Sequence, residues 1–127
     1  MTRVTIRLDF DDVRHLGHGK IRLLELIAAH GSISSAARAM GMSYRRAWLL
    51  ADETNRMFRA PVFATRLGGK SGGQAQLTSF GRDLIDLYRR MEAQAAQRFG
   101  AEIGALEAAL AAQAGESAQT DASRDSA

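Results

Sequence analysis

Four consecutive residues, Ser43-Tyr44-Arg45-Arg46, could do recognition chemistry if they open a helix. An arginine guanidinium donates two hydrogen bonds to guanine O6 and N7, and DNA-reading helices present their N-terminal residues to base edges. Serine and tyrosine hydroxyls, with the free N–H groups of a helix start, suit phosphate oxygens. Trp48 lies one turn further on. Tyr44 and Trp48 have two readings at this point: contact with DNA, or packing against the first helix.

A second segment invites a different chemistry. Ala64-Thr65-Arg66-Leu67-Gly68-Gly69-Lys70-Ser71 fits the relaxed A-x-x-x-x-G-K-S form of a phosphate-binding loop. Such a loop must follow a buried parallel strand and open directly into a helix whose N-terminus holds the phosphate. Here Ser71 is followed by Gly72-Gly73-Gln74, which cannot open a stable helix. No hydrophobic strand ending in a magnesium-binding aspartate follows either. A glycine-rich hairpin tip carrying Arg66 and Lys70 to the DNA backbone or minor groove accounts for the composition better.

The other reactive residue types form no constellation. His15, His18 and His30 lack ligand spacing, and Asp9, Asp11 and Asp12 read as a solvated turn. There are no cysteines, which excludes disulfides, thiolate metal sites and a cysteine nucleophile. Neither an enzyme, nor a metal site, nor a cofactor is expected.

Several elements must position these residues. Val4, Ile6, Leu8 and Phe10 alternate with polar residues, the period of a half-buried strand, and Gly17 and Gly19 mark a loop after it. Ile21, Leu24, Ile27 and Ala28 predict a helix closed by Gly31. Ser34 is a candidate N-cap for a short helix that ends at Gly41, and Ser43 caps the next. That third helix runs from about Tyr44 to Phe58, with Ala47, Leu50, Ala51, Thr54 and Phe58 inward. Val62 to Arg66 and Ala75 to Leu77 predict two short strands joined across the glycine-rich stretch. Thr78 caps a fourth helix with the stripe Phe80, Leu84, Leu87, Tyr88 and Met91. The stripe continues more weakly through Ala95, Phe99, Ile103, Leu106 and Leu110, interrupted by Gly100 and Gly104. An unbroken helix of about 30 residues would reach roughly 45 Å and would need a partner surface, such as a second copy of the chain.

The stretch from Ile33 to Asp52 matches the offsets of a helix-turn-helix. Ala37 is the small residue where the helices cross, Gly41 is the turn, and Ala36, Met40, Met42, Ala47 and Leu50 are the apolar anchors. Placing Ala47 inward puts Arg45, Leu49, Asp52 and Arg56 on the opposite face, with Arg46 and Trp48 on its flanks. Charge is distributed in the same sense. Between Arg38 and Arg82 there are eight basic and two acidic residues, a net +6 within a chain of net charge +3. That suits either a phosphate-facing surface or a solvated basic face. The 127 residues allow one domain with a modest core. No signal peptide and no run of about 18 apolar residues is present, and a cytoplasmic protein is expected.

With these motifs in place, residues 19–92 resemble the N-terminal DNA-binding domain of the molybdate-responsive ModE regulators, relatives of the LysR-type winged helices. The resemblance is carried by Gly31-Ser32-Ile33-Ser34, by Gly41-Met42-Ser43-Tyr44-Arg45-Arg46-Ala47-Trp48 and by Asn55-Arg56-Met57. It continues in Thr65-Arg66-Leu67-Gly68-Gly69-Lys70-Ser71-Gly72-Gly73 and Leu77-Thr78-Ser79-Phe80-Gly81. It implies a homodimer on a roughly palindromic operator, acting in transcription regulation of molybdenum metabolism. In that family molybdate is sensed by C-terminal modules. The 35 residues after Glu92 do not accommodate one, so direct molybdate binding is not expected here.

The expected fold is mainly α with a small β-wing: a winged helix-turn-helix with an N-terminal strand and a long C-terminal helix. The expected division is 1–18 strand and loop, 19–92 DNA-binding domain, 93–112 dimerisation helix and 113–127 disordered tail. The expected partner is double-stranded DNA, contacted by Ser32, Ser34, Ser43, Tyr44, Arg45, Arg46, Trp48, Arg66, Lys70 and Ser71. The alternative is a winged-helix protein-interaction or accessory module acting with a separate sensor.

Overall fold

A computed structural model describes residues 2–66 and 73–112. They fall into two units, Val4–Ala95 on the one hand and residues 2–3 with 96–112 on the other. Among them are five helices and two two-stranded antiparallel sheets, an arrangement compatible with a winged helix. The expected tail and the tip residues Lys70 and Ser71 lie outside the described residues.

The first unit opens with a hairpin rather than a strand and a loop. β1 (Leu8–Asp9) pairs with β2 (His15–Leu16), Leu8 opposite Leu16 and Asp9 opposite His15. The alternation expected over Val4–Phe10 holds as far as Leu8, whereas Phe10 is exposed and meets the Phe58 ring edge-on at 6.2 Å. Tyr88, fully buried, donates its hydroxyl hydrogen to Ile6 O at 2.6 Å and pins the segment before β1.

α1 (His18–His30) starts earlier than the glycines suggested. Gly17 is its N-cap and Gly19 lies inside its first turn. Burial of Ile21, Leu23, Leu24, Leu26 and Ile27 outweighs glycine's poor helix propensity. A helix buried on so wide a face is central, and its apolar stripe is broader than the sequence reading allowed. Ala28, expected inward, is exposed. Lys20 is also buried: its ammonium donates to His15 O at 3.0 Å and stands 3.3 Å from Glu53 Oε1.

Gly31 takes the left-handed conformation expected of it (φ 80°) and donates to Ile27 O. α2 (Ile33–Met40) is capped by Ser32, whose Oγ accepts from Ser35 N–H. The cap is therefore Ser32 and not Ser34, which falls within the first turn. Gly41 (φ 68°) ends α2, and its N–H together with that of Met42 satisfies the last carbonyls. Ser43 Oγ accepts from Arg46 N–H and starts α3 (Tyr44–Met57), which buries Ala47, Ala51 and Thr54.

β3 (Phe63–Arg66) and β4 (Gln74–Leu77) pair from Phe63 opposite Leu77 to Arg66 opposite Gln74. This antiparallel pairing returns the chain along the same sheet, so Ala64–Arg66 is not the parallel strand of a phosphate-binding loop. Ala75 N–H donates to Gly31 O at 2.8 Å, fixing the hairpin to the end of α1. Thr78 Oγ1 accepts from Gly81 N–H and caps α4 (Ser79–Arg98). On α4 Leu84 and Tyr88 are buried, but Leu87 is half exposed. Arg89 clamps α4 to α1 through both oxygens of Glu25 (2.9 Å each), and also donates to Glu92 (2.6 Å). The Arg89 guanidinium holds the Glu25 carboxyl below its ordinary range, while burial pushes the Tyr88 phenol up.

In the second unit the helix breaks. Phe99 (φ −102°, ψ 19°) separates the end of α4 from α5 (Gly100–Ala108), so two helices cover the region where one continuous helix was expected. Glycine at position 100 favours the interruption. Thr2 donates to the Glu107 carboxylate, and no residue of α5 is buried.

Candidate nucleic-acid interface

The capped starts of α2 and α3 and the outer strands of the hairpin border one open concavity of about 910 Å³. Ser32, Ser34 and Ser35 line it from α2, Tyr44 and Trp48 from α3, and Thr65, Arg66, Gln74 and Gln76 from the hairpin. Arg38 lies one turn along α2 from Ser34 and completes the wall. None of the described lining residues is Asp or Glu. Neither α2 nor α3 has an acidic residue in its first turn, so the positive ends of both helix dipoles are unopposed there. Hydroxyls, amides, two guanidiniums and helix N-termini around a concavity free of carboxylates form a surface suited to an anionic backbone.

The sequence-derived residues divide over this geometry. Ser32, Ser34, Tyr44, Trp48 and Arg66 come together in the concavity. Tyr44 and Trp48 are 55% and 42% exposed, so neither is buried in the core. Ser43 does not line the concavity, and its Oγ accepts from Arg46 N–H in the helix cap. Arg46 lines a smaller concavity on the other flank of α3, about 390 Å³, with Thr5, Arg7, His15 and Met42. Arg45 lines neither and stands between the flanks on the outer face, where a 100° step per residue puts it. Lys70 and Ser71 lie outside the described residues. Among the described residues no group of three His, Asp or Glu could hold a metal ion, and no helix is long and apolar enough to cross a membrane.

Sequence reasoning overlooked Ser35, Thr65, Gln74 and Gln76, and counted Arg38 only as charge. Their signal was available. Gln74 and Gln76 alternate with buried Ala75 and Leu77, and Arg38 follows Ser34 by one turn. What positions the hairpin beside α3 had no such signal. Asn55 Oδ1 accepts from Val62 N–H and Phe63 N–H at 2.7 and 3.2 Å, tying the last turn of α3 to the start of β3.

No family model matches the chain. Curated relatives do. The chain is 38% identical over 93 residues to the molybdenum-pterin-binding protein MopA of Rhodobacter capsulatus, covering 73% of this chain and 35% of that one. It is 40% identical over 85 residues to the molybdenum transport protein ModE of Azotobacter vinelandii, covering 67% and 32%. It is 44% identical over 69 residues to the DNA-binding transcriptional dual regulator ModE of Escherichia coli K12, covering 54% and 26%. The chain thus spans about a third of the length of the curated relatives it matches.

Proposed function

Since the chain belongs to the ModE family, we propose that it is a sequence-selective DNA-binding transcriptional regulator and not an enzyme. In this reading α2 and α3 are the two helices of a helix-turn-helix and β3–β4 is its wing. α3 enters the major groove with Arg45 at its exposed N-terminal turn. The carboxylate-free concavity between α2, α3 and the wing takes the phosphate backbone, with Arg38 and Arg66 on its walls. That concavity is the observation that carries the reading, because it combines both helix N-termini with two guanidiniums beside the exposed arginine.

The regulator works in the cytoplasm as a homodimer on a pseudo-palindromic operator, since one α3 covers only a half-site. Half-exposed Leu87 on α4, and separately the unburied apolar residues Leu106 and Leu110, supply surfaces for self-association. The names of the relatives point to molybdenum-related genes as targets. The role assigned to the described residues is operator binding.

Binding to genomic fragments at two salt concentrations, with and without molybdate, tests this. Selective binding that weakens steeply with salt and is indifferent to molybdate is the expected result. Uniform weak binding to every fragment at both salts would overturn it.

A further inference from the structure

Between Arg45 and Arg56, the outer face of α3 carries a residue that the fold does not use. Leu49 is 46% exposed, one turn after Arg45 and next to Trp48, itself 42% exposed. Asp52, one turn further, is already engaged, its carboxylate 2.9 Å from Arg56 Nε. Of the face that a groove would meet, two features therefore remain available. One is Arg45, which forms no ion pair with a described residue. The other is the apolar surface of Leu49, with Arg45 and Arg46 one turn before it and Asp52 and Glu53 one turn after.

An exposed apolar side chain one turn from an arginine unpaired among the described residues, on the outer face of a helix, matches the DNA major groove. There the one apolar group on a base edge is the C5 methyl of thymine, flanked by acceptors and by phosphates. We infer that Leu49 reads a thymine methyl, and that each half-site of the operator pairs a guanine with a nearby thymine. This rests on the reading of α3 as the DNA-reading helix. Arg45 and Leu49 are about 6 Å apart along the helix axis. Base pairs are stacked at about 3.4 Å, so the two contacts fall within about two steps of each other. The Asp52–Arg56 pair bounds the reading face at its far end, and discrimination is confined to the first two turns of α3.

The test uses the full chain. Duplexes are selected from a random pool, and each thymine of the winning site is then replaced singly by deoxyuridine, which deletes only the methyl. One position per half-site is expected to weaken binding about fourfold, the value of one buried methyl group, and to lie within two steps of a guanine. For Leu49→Ala the same replacement should matter less than about twofold. Leu49 is half exposed, so the variant should keep the parent's helical circular dichroism, which is measured alongside. A winning site in which no thymine methyl matters, or in which the methyl matters equally to Leu49→Ala, overturns the inference and leaves the DNA reading standing. Failure to select any duplex overturns both.

Discussion

Asn55 at the end of α3 bonds through Oδ1 to the N–H of Val62, 2.7 Å away and just before β3. The same oxygen accepts from Phe63, and both backbone donors belong to buried residues. One side chain thus ties the last turn of α3 to the start of β3. Replacing it by alanine leaves two buried donors without partners, which costs about 1–3 kcal/mol each where water cannot reach them. Asn55→Ala should lower the unfolding free energy by about 2–4 kcal/mol in urea titration. Asn55→Asp, which keeps an acceptor, should lose much less. Equal losses would remove the hydrogen bonds as the cause.

Gly81 supports the same junction from α4. A Cβ at this position would stand 2.0 Å from Val62 O, a backbone atom that already accepts from Thr78 N–H. Neither partner can yield without breaking the cap of α4. Gly81→Ala should therefore destabilise by about 3 kcal/mol or more, although alanine is the better helix former. A thermal midpoint equal to or above the parent's would refute the close approach.

On DNA, the outer face and the wing should separate in two different measurements. Arg45→Ala should cost about 1–3 kcal/mol on the preferred site and flatten the ranking among sites. Arg66→Ala, and likewise Lys70→Ala, should weaken all duplexes alike and reduce the salt slope by about one. A uniform loss for Arg45→Ala would take base reading away from that residue.

Acid should act on the clamp between α1 and α4. The hydrogen bonds from Arg89 hold the Glu25 carboxyl below its ordinary value of 4.5. A carboxylate lowered in the folded state adds stability that is complete above that ordinary value and is lost as pH falls through the folded value. Thermal midpoints measured from pH 7 to pH 3 should therefore fall more steeply below about pH 4.5 for the parent than for Glu25→Gln. Parallel curves would show that Glu25 does not contribute to the acid response.

How much of this was legible in the sequence follows from the range of each interaction. Gly31, Gly41, Ser43 and Thr78 act within four residues of their own positions, and each does what its type and spacing implied. The same holds for the inward face Ala47, Ala51 and Thr54, since helical periodicity is a local property. Spacing makes Ser34 the candidate cap of α2, whereas Ser32, two residues earlier, fills that role and Ile33 is buried in the first turn.

Residue type and spacing alone determined the caps at Gly31, Gly41, Ser43 and Thr78, the turn between α2 and α3, the hairpin β3–β4 and the candidate set of cations and hydroxyls. Only the tertiary structure decided which of those candidates meet. It placed Ser32, Tyr44, Trp48 and Arg66 around one concavity. It also buried Lys20 beside His15. The physical reason is that capping and periodicity are settled by hydrogen bonds within one or two turns. A concavity between α2, α3 and β3–β4 joins residues more than thirty positions apart, and its shape comes from packing on α1, Asn55 and Gly81.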